Sequence, residues 1–267
     1  MCWQVSSPQE YARGRRELIA HTARSGARLL IVGGPAGTGD DAGSGRVIDT
    51  ALDTALDLDP ALDVALDSTS GASWERPSRV LLPAVRREVH EAQRSGQSVR
   101  VLAGMDHLAR SQQSLDELIT HEMDLGELAT QGGTSVVCAY SRLVWSPGVI
   151  QDVTAVHSRV VGLEPRAAVF RLTRADADSW NLEGSVGLES LRPFSAAVRG
   201  ALARTPRARL RCTGLDLVDA AAWRALVESV TQTRGGSLVL EGANETVRTA
   251  WRMSGYAGYG AAIEVRG

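Results

Sequence analysis

The sequence predicts an α/β chain of two domains, an open and mostly parallel sheet followed by a second, strand-first α/β unit. Three observations predict it. Short apolar runs at Ala27–Val32, Val99–Ala103 and Thr134–Tyr140 alternate with segments of helical period, the order of repeated βα units. Beyond Glu164-Pro165 the order changes: two strand-like stretches, Ala167–Thr173 and Ser179–Val186, flank the turn Ala175-Asp176-Ala177-Asp178, a hairpin signal. The third is length, sufficient for two ordinary domains with real cores. The domains are therefore residues 1–163, with a low-complexity insert over about 40–75, and 166–267.

In the first domain Gln9–Ala23 is helical in character, with Tyr11, Leu18 and Ile19 as apolar points among arginines. Ala27–Val32 is a continuous apolar run, the pattern of a strand buried on both faces. It leads into Gly33–Asp40, where Gly34 and Gly39 have the spacing of P-loop glycines. The position of the phosphate-binding lysine is Asp40, followed by Asp41, and two carboxylates there repel a phosphate. The Ala-Leu-Asp repeats that follow read as a solvated acidic stretch. Val80–Leu82 reads as a strand, Ala84–Arg94 as a helix stopped by Gly96, and Val99–Ala103 as the next strand. Ser114 and Glu117 form a capping box for a helix whose apolar face runs through Leu115, Leu118, Ile119 and Leu125. After the Thr134–Tyr140 strand, Ser146-Pro147 starts a helix carrying Val149, Ile150, Val153 and Val156, with His157 in its last turn.

In the second domain Ser190 caps a helix with Leu191, Phe194, Val198, Ala201 and Leu202 on one face. Arg207–Cys212 alternates arginine with apolar residues as a strand, and a tight turn is expected around Gly214. Asp219 stands at the N-cap of a helix whose stripe is Trp223, Leu226, Val227 and Val230. Gly235-Gly236 ends that helix. Ser237–Leu240 is a strand, Asn244 caps a further helix bearing Val247, Ala250 and Trp251, and Ala261–Val265 is the last strand.

Composition narrows the function. Net charge is close to zero, which points away from nucleic acid and anionic membranes as partners. All the Lys+Arg total is arginine, so Schiff-base, Walker and kinase-type lysine chemistry is excluded. Cys2, Cys138 and Cys212 are far apart, without the paired spacing of a zinc site or a disulfide framework. No apolar run approaches the ~20 residues of a membrane span, and the expectation is a cytoplasmic protein without a resident cofactor or metal.

Ligands of open parallel sheets sit beyond the carboxyl ends of the strands, which singles out Gly33-Gly34, Gly104–His107 and Tyr140–Arg142. Glu122 falls on the apolar face of its helix, where a carboxylate needs a partner or lines a ligand pocket. Cys138 reads either as a small buried hydrophobe or as a reactive thiol, and His157 either as a helix-end charge or as a ligand contact. The run Ala103-Gly104-Met105-Asp106-His107-Leu108, the Glu122 helix, Val137-Cys138-Ala139-Tyr140-Ser141-Arg142 and Val156-His157 resemble the MEDS domain, a DcmR-type sensory module of methanogens, methylotrophs and many actinobacteria. The resemblance implies a RecA-like α/β fold and the sensing of a small, often hydrocarbon-derived molecule. The low-polarity ligand would meet His107, Glu122, Cys138, Tyr140 and His157. The chain lacks the family's histidine before Cys2 and has Ser141 where aspartate is usual.

The strand, Asp-capped turn and helix over 207–242 resemble the STAS domain of anti-sigma factor antagonists. That resemblance implies docking of an anti-sigma factor or related histidine-kinase-like ATPase through Asp219, Ala220, Ala221 and Arg224. The family's phosphorylatable serine is Ala220 here, and Gly187 replaces an aspartate usual after the second strand. The expected function is non-enzymatic regulation of transcription or stress signalling. The alternatives are a degenerate P-loop-like nucleotide-binding protein and a structural scaffold.

Overall fold

The computed structural model describes residues 1–32, 77–109, 113–162, 168–258 and 262–267, and the chain forms two compact units, each with a sheet. The Gly34–Gly39 loop, the Ala-Leu-Asp repeats and the Glu164-Pro165 boundary lie outside the described residues.

The first sheet is built from β1 (Cys2–Val5), β2 (Arg28–Val32), β3 (Val99–Gly104), β4 (Thr134–Ser141) and β5 (Val160–Val161). Their order is β2-β3-β4-β1-β5, and every pairing is parallel. The helices are α1 (Pro8–Ser25), α2 (Pro77–Arg94), the short α3 (Asp106–Ala109), α4 (Leu115–Ala129) and α5 (Pro147–Thr154). Parallel neighbours need crossovers, which these helices supply. The connection from β1 travels to the far edge of the sheet, whereas those from β2 and β3 return towards it. β1 and β4 therefore lie side by side where the winding reverses, the place where open α/β sheets hold ligands.

Two strands escape the sequence reading. β1 is only four residues long and begins next to the N-terminus, too short for a periodic signal. β5 is two residues long. Val80–Leu82, expected as a strand, belongs to α2, which runs through Pro83. Three apolar residues cannot distinguish the two periods, but buried Val85, Val89 and Ala92 continue a helical stripe. Gly104–His107 is not all loop, since Asp106 opens α3. The capping box is present: Ser114 N–H and hydroxyl both donate to Glu117 Oε2, and Glu117 N–H donates to Ser114 Oγ. α5 ends at Thr154, so His157 lies past the helix rather than in its last turn.

The second sheet is β6 (Phe170–Arg174), β7 (Ser179–Val186), β8 (Arg207–Val218), β9 (Ser237–Glu241) and β10 (Ile263–Val265), ordered β10-β9-β8-β7-β6. Only the β6–β7 hairpin is antiparallel. Its helices are α6 (Leu191–Arg204), α7 (Ala220–Gln232) and α8 (Glu245–Met253). The core joins Phe170, Trp180, Phe194, Leu210, Trp223 and Trp251. Phe170 meets Phe194 edge-on with ring centroids 5.4 Å apart, and Trp223 lies against Trp251 at 4.9 Å.

β8 corrects one expectation. Gly214 makes no turn, and the strand continues to Val218. The alternation that ends at Cys212 resumes with buried Leu215 and Val218 only after register shifts against β7, and such an irregularity hides the period. Gly184 lies at one of these shifts with φ +86°, and a Cβ there would stand 2.3 Å from Val169 O. Only glycine fits. Ser190 precedes α6 without capping it, because its hydroxyl is bonded to Gly187.

Candidate functional site

At the reversal of the first sheet, β4 places Cys138 and Tyr140 on one face, two residues apart, and both are buried. Cys2 on β1 is the register partner of Cys138. Asp106, at the start of α3, accepts the Ser141 N–H at 3.0 Å, so a buried carboxylate ties the end of β3 to the end of β4. Burial pushes the Tyr11 phenol up to about 12 against the opposing Arg15 charge, with a smaller upward push from Asp106. His107 is half-buried, with Nδ1 2.7 Å from the Gly104 carbonyl. Tyr140 meets the Trp145 ring edge-on at 5.6 Å.

α4 presents Glu122 on its buried face beside Ile119 and Leu118, as the helical period requires. Its partner is a histidine, His157, whose Nε2 lies 3.0 Å from Glu122 Oε2, with side chains 5% and 0% exposed respectively. His157 Nδ1 is 2.8 Å from the Val153 carbonyl. Neighbouring His121 is also buried, and desolvation holds its pKa below 6.5 against the opposing pull of Glu122 and Asp124.

Of the five side chains singled out as ligand contacts, Glu122 and His157 come together. Both of these residues are buried, as is Cys138. His107, Cys138 and Tyr140 belong to the other compact unit. The sequence reading did not name His157 as the partner of Glu122, because the two come from separate elements without a recognisable spacing. It also missed Cys2, His121 and the structural use of Asp106. For Asp106 a signal existed in its place just past a strand's carboxyl end.

The second candidate site is the start of α7. Asp219 has the extended backbone of an N-cap (φ −79°, ψ 174°), and its Oδ1 accepts the Ala222 N–H at 2.8 Å. Its Oδ2 accepts the Leu188 N–H at 2.9 Å. One carboxylate thus caps the helix and holds the loop after β7. Gly187 explains itself here: a Cβ on it would lie 3.0 Å from Asp219 Oδ2, and an aspartate would add a second charge. Ala220 is exposed, Ala221 half-buried, and Arg224 is exposed and paired with Glu228 one turn on at 2.7 Å. Leu188, 73% exposed, stands beside the turn.

The structure is a parallel sheet with a buried ion pair's residues in its sequence span, followed by a mixed sheet whose central helix is capped by Asp219. Residues 1–158 match the family model described as MEDS, the MEthanogen/methylotroph, DcmR Sensory domain. Residues 171–263 match the model described as Mlab, STAS domain. The chain belongs to the MEDS family and carries a STAS domain after it. No curated protein matches it. No helix among the described residues is long and apolar enough to cross a membrane.

Proposed function

We propose that the protein is a non-enzymatic cytoplasmic regulator, in which a MEDS sensory domain governs a STAS domain that docks an anti-sigma factor or related histidine-kinase-like ATPase and so influences transcription. The observation that carries this reading is the Asp219 turn within the STAS match: the cap and its Leu188 link present a fixed loop-and-helix edge to solvent. Ala220 at its tip offers no hydroxyl. Docking there is insensitive to the phosphorylation that acts on a serine at this position. In the first domain, Glu122, Cys138, Tyr140, His107 and His157 are the side chains proposed to answer a small ligand.

The test is a pull-down with the full chain from its native host, read by mass spectrometry, together with Ala220→Ser exposed to the kinase it recovers. Recovery of an anti-sigma ATPase that is lost with Asp219→Ala, and phosphorylation of Ala220→Ser alone, support the reading. A chain that recovers no such ATPase, with a serine at 220 left untouched by cognate kinases, contradicts it.

A further inference from the structure

We propose that the first part of α4 controls the Asp219 turn through α6, as a lever that regulates the docking edge. Residues 114–126 and 151–158 lie within the MEDS match, yet they pack as part of the second compact unit together with 166–267. Leu115, Ile119 and Met123 of α4 share one buried core with Phe194, Val198 and Ala201 of α6. The Ala155 carbonyl accepts the Leu172 N–H at 2.7 Å, which joins the 151–158 segment to β6.

The two helices meet through a small residue and a guanidinium fork. Met123 rests over Gly200 of α6, where a Cβ would stand 2.6 Å from its Sδ, so a larger side chain at 200 pushes on α4. Asp116, Thr120 and Asp124 are spaced one helical turn apart and share one face of α4. Arg204, in the last turn of α6, donates from one nitrogen to the Thr120 carbonyl at 2.9 Å and to the Asp124 carboxylate. Its other terminal nitrogen donates to the Gly200 carbonyl at 2.8 Å. The Arg204 side chain is 12% exposed, so the fork is shielded from water, whereas the Arg199–Asp116 pair lies in solvent and adds little.

α6 links this contact to the docking edge. It starts at Leu191, directly after the single turn Leu188–Ser190, and Leu188 N–H is the group that Asp219 Oδ2 holds at 2.9 Å. A packed helix moves as a stiff body, so a shift at Gly200 and Arg204 reaches the Leu188 loop at its other end. α4 itself continues unbroken to Ala129, and residues 127–129 belong to the first unit. A conformational change that moves those residues is therefore passed along α4 to α6.

The lever rests on the reading of the Asp219 turn as a docking edge, but its test needs no partner. Hydrogen-exchange mass spectrometry of the full chain compares the wild type with Arg204→Met, which keeps the apolar stem and removes the fork, and with Gly200→Leu. The expected result is an acceleration of at least ~10-fold in peptides covering 115–126 and 186–190, with β9 at the wild-type rate. Adding Met123→Ala to Gly200→Leu should slow both peptides again, which a general loss of folding would not allow. If 115–126 accelerates while 186–190 keeps its wild-type rate, α4 only packs against α6 and the proposal fails. It fails equally if 115–126 does not respond, or if β9 accelerates as much, because the effect is then global. A chain that shows the linked acceleration but recovers no anti-sigma ATPase keeps the lever and loses the docking reading.

Discussion

Asp219→Ala removes two hydrogen bonds at once, and the geometry says how the loss divides. The Oδ1 bond to Ala222 N–H is an N-cap contact, worth about 1 kcal/mol. The Oδ2 bond to Leu188 N–H is charge-assisted but lies at the surface, so water competes and about 1 kcal/mol is again appropriate. Together they amount to about 2 kcal/mol. Serine separates the two, because it caps a helix nearly as well as aspartate but has one oxygen and cannot also reach Leu188. Asp219→Ser should therefore cost only the second bond, about 1 kcal/mol. With about 1.4 kcal/mol per factor of ten, amide exchange in the first turn of α7 should accelerate roughly 30-fold in the alanine variant and roughly fivefold in the serine variant. Hydrogen-exchange mass spectrometry of peptides covering 186–190 and 219–226 measures both. Equal acceleration in the two variants would refute the assigned cap, and no acceleration in either would refute the double role of the carboxylate.

Gly187→Asp should destabilise the same turn by about 1–2 kcal/mol, since its Cβ starts 3.0 Å from Asp219 Oδ2; in a double-mutant cycle with Asp219→Ala the cost should shrink, and an additive result would deny the contact. Cys212 is buried, and desolvation with help from the Glu241 charge pushes its thiol up to about 12, so it should resist iodoacetamide in the native chain and react after unfolding in urea. His121 has a folded pKa depressed below 6.5 by burial, so its stability contribution is fully present above that value and is lost as the unfolded chain takes up a proton below it. The urea midpoint should accordingly fall between about pH 7.5 and about pH 5.5, and fall less in His121→Gln; equal slopes would remove His121 from the account.

The sequence carried the periodic parts of this fold well. Asp219 and Asn244 cap as their positions demand, with side chains accepting from Ala222 and Val247. The Ser114–Glu117 box and the β6–β7 hairpin also follow from short-range chemistry. What the sequence hid was non-local. β1 is recognisable as a strand only through its parallel partners β4 and β5, because four residues contain hardly more than one full alternation. Gly214 looks like a turn because glycine weakens a strand, yet the pairing of Glu183 with Gly214 carries β8 onward.

The candidate ligand residues show the same division. A carboxylate on an apolar helix face announces that Glu122 needs a partner, but nothing local names His157, because the helix that leads to His157 ends before reaching it. The choice open at Glu122, backbone or arginine against a ligand pocket, therefore turns on a residue whose own reading was a helix-end charge. Cys138 was equally ambiguous, since a buried thiol in a central strand is indistinguishable by sequence from a small hydrophobe. The pairing of Glu122 with His157 adds information that no spacing in the sequence contains.

At the Asp219 turn, the absence of a hydroxyl at 220 has a wider consequence for the proposed regulator. Among residues 187–190 and 218–223 the sole hydroxyl belongs to Ser190, which is buried and bonded through its oxygen to both the N–H and the carbonyl of Gly187. A kinase docked at the helix start would find no accessible acceptor, and freeing Ser190 would break the loop that Asp219 holds. For the proposed regulator, two routes of control other than phosphorylation are ligation in the sensory domain and the abundance of the chain itself. Those two routes separate cleanly: ligation predicts partner affinity that changes on addition of the sensed ligand at fixed protein concentration, whereas control by abundance predicts an affinity that does not.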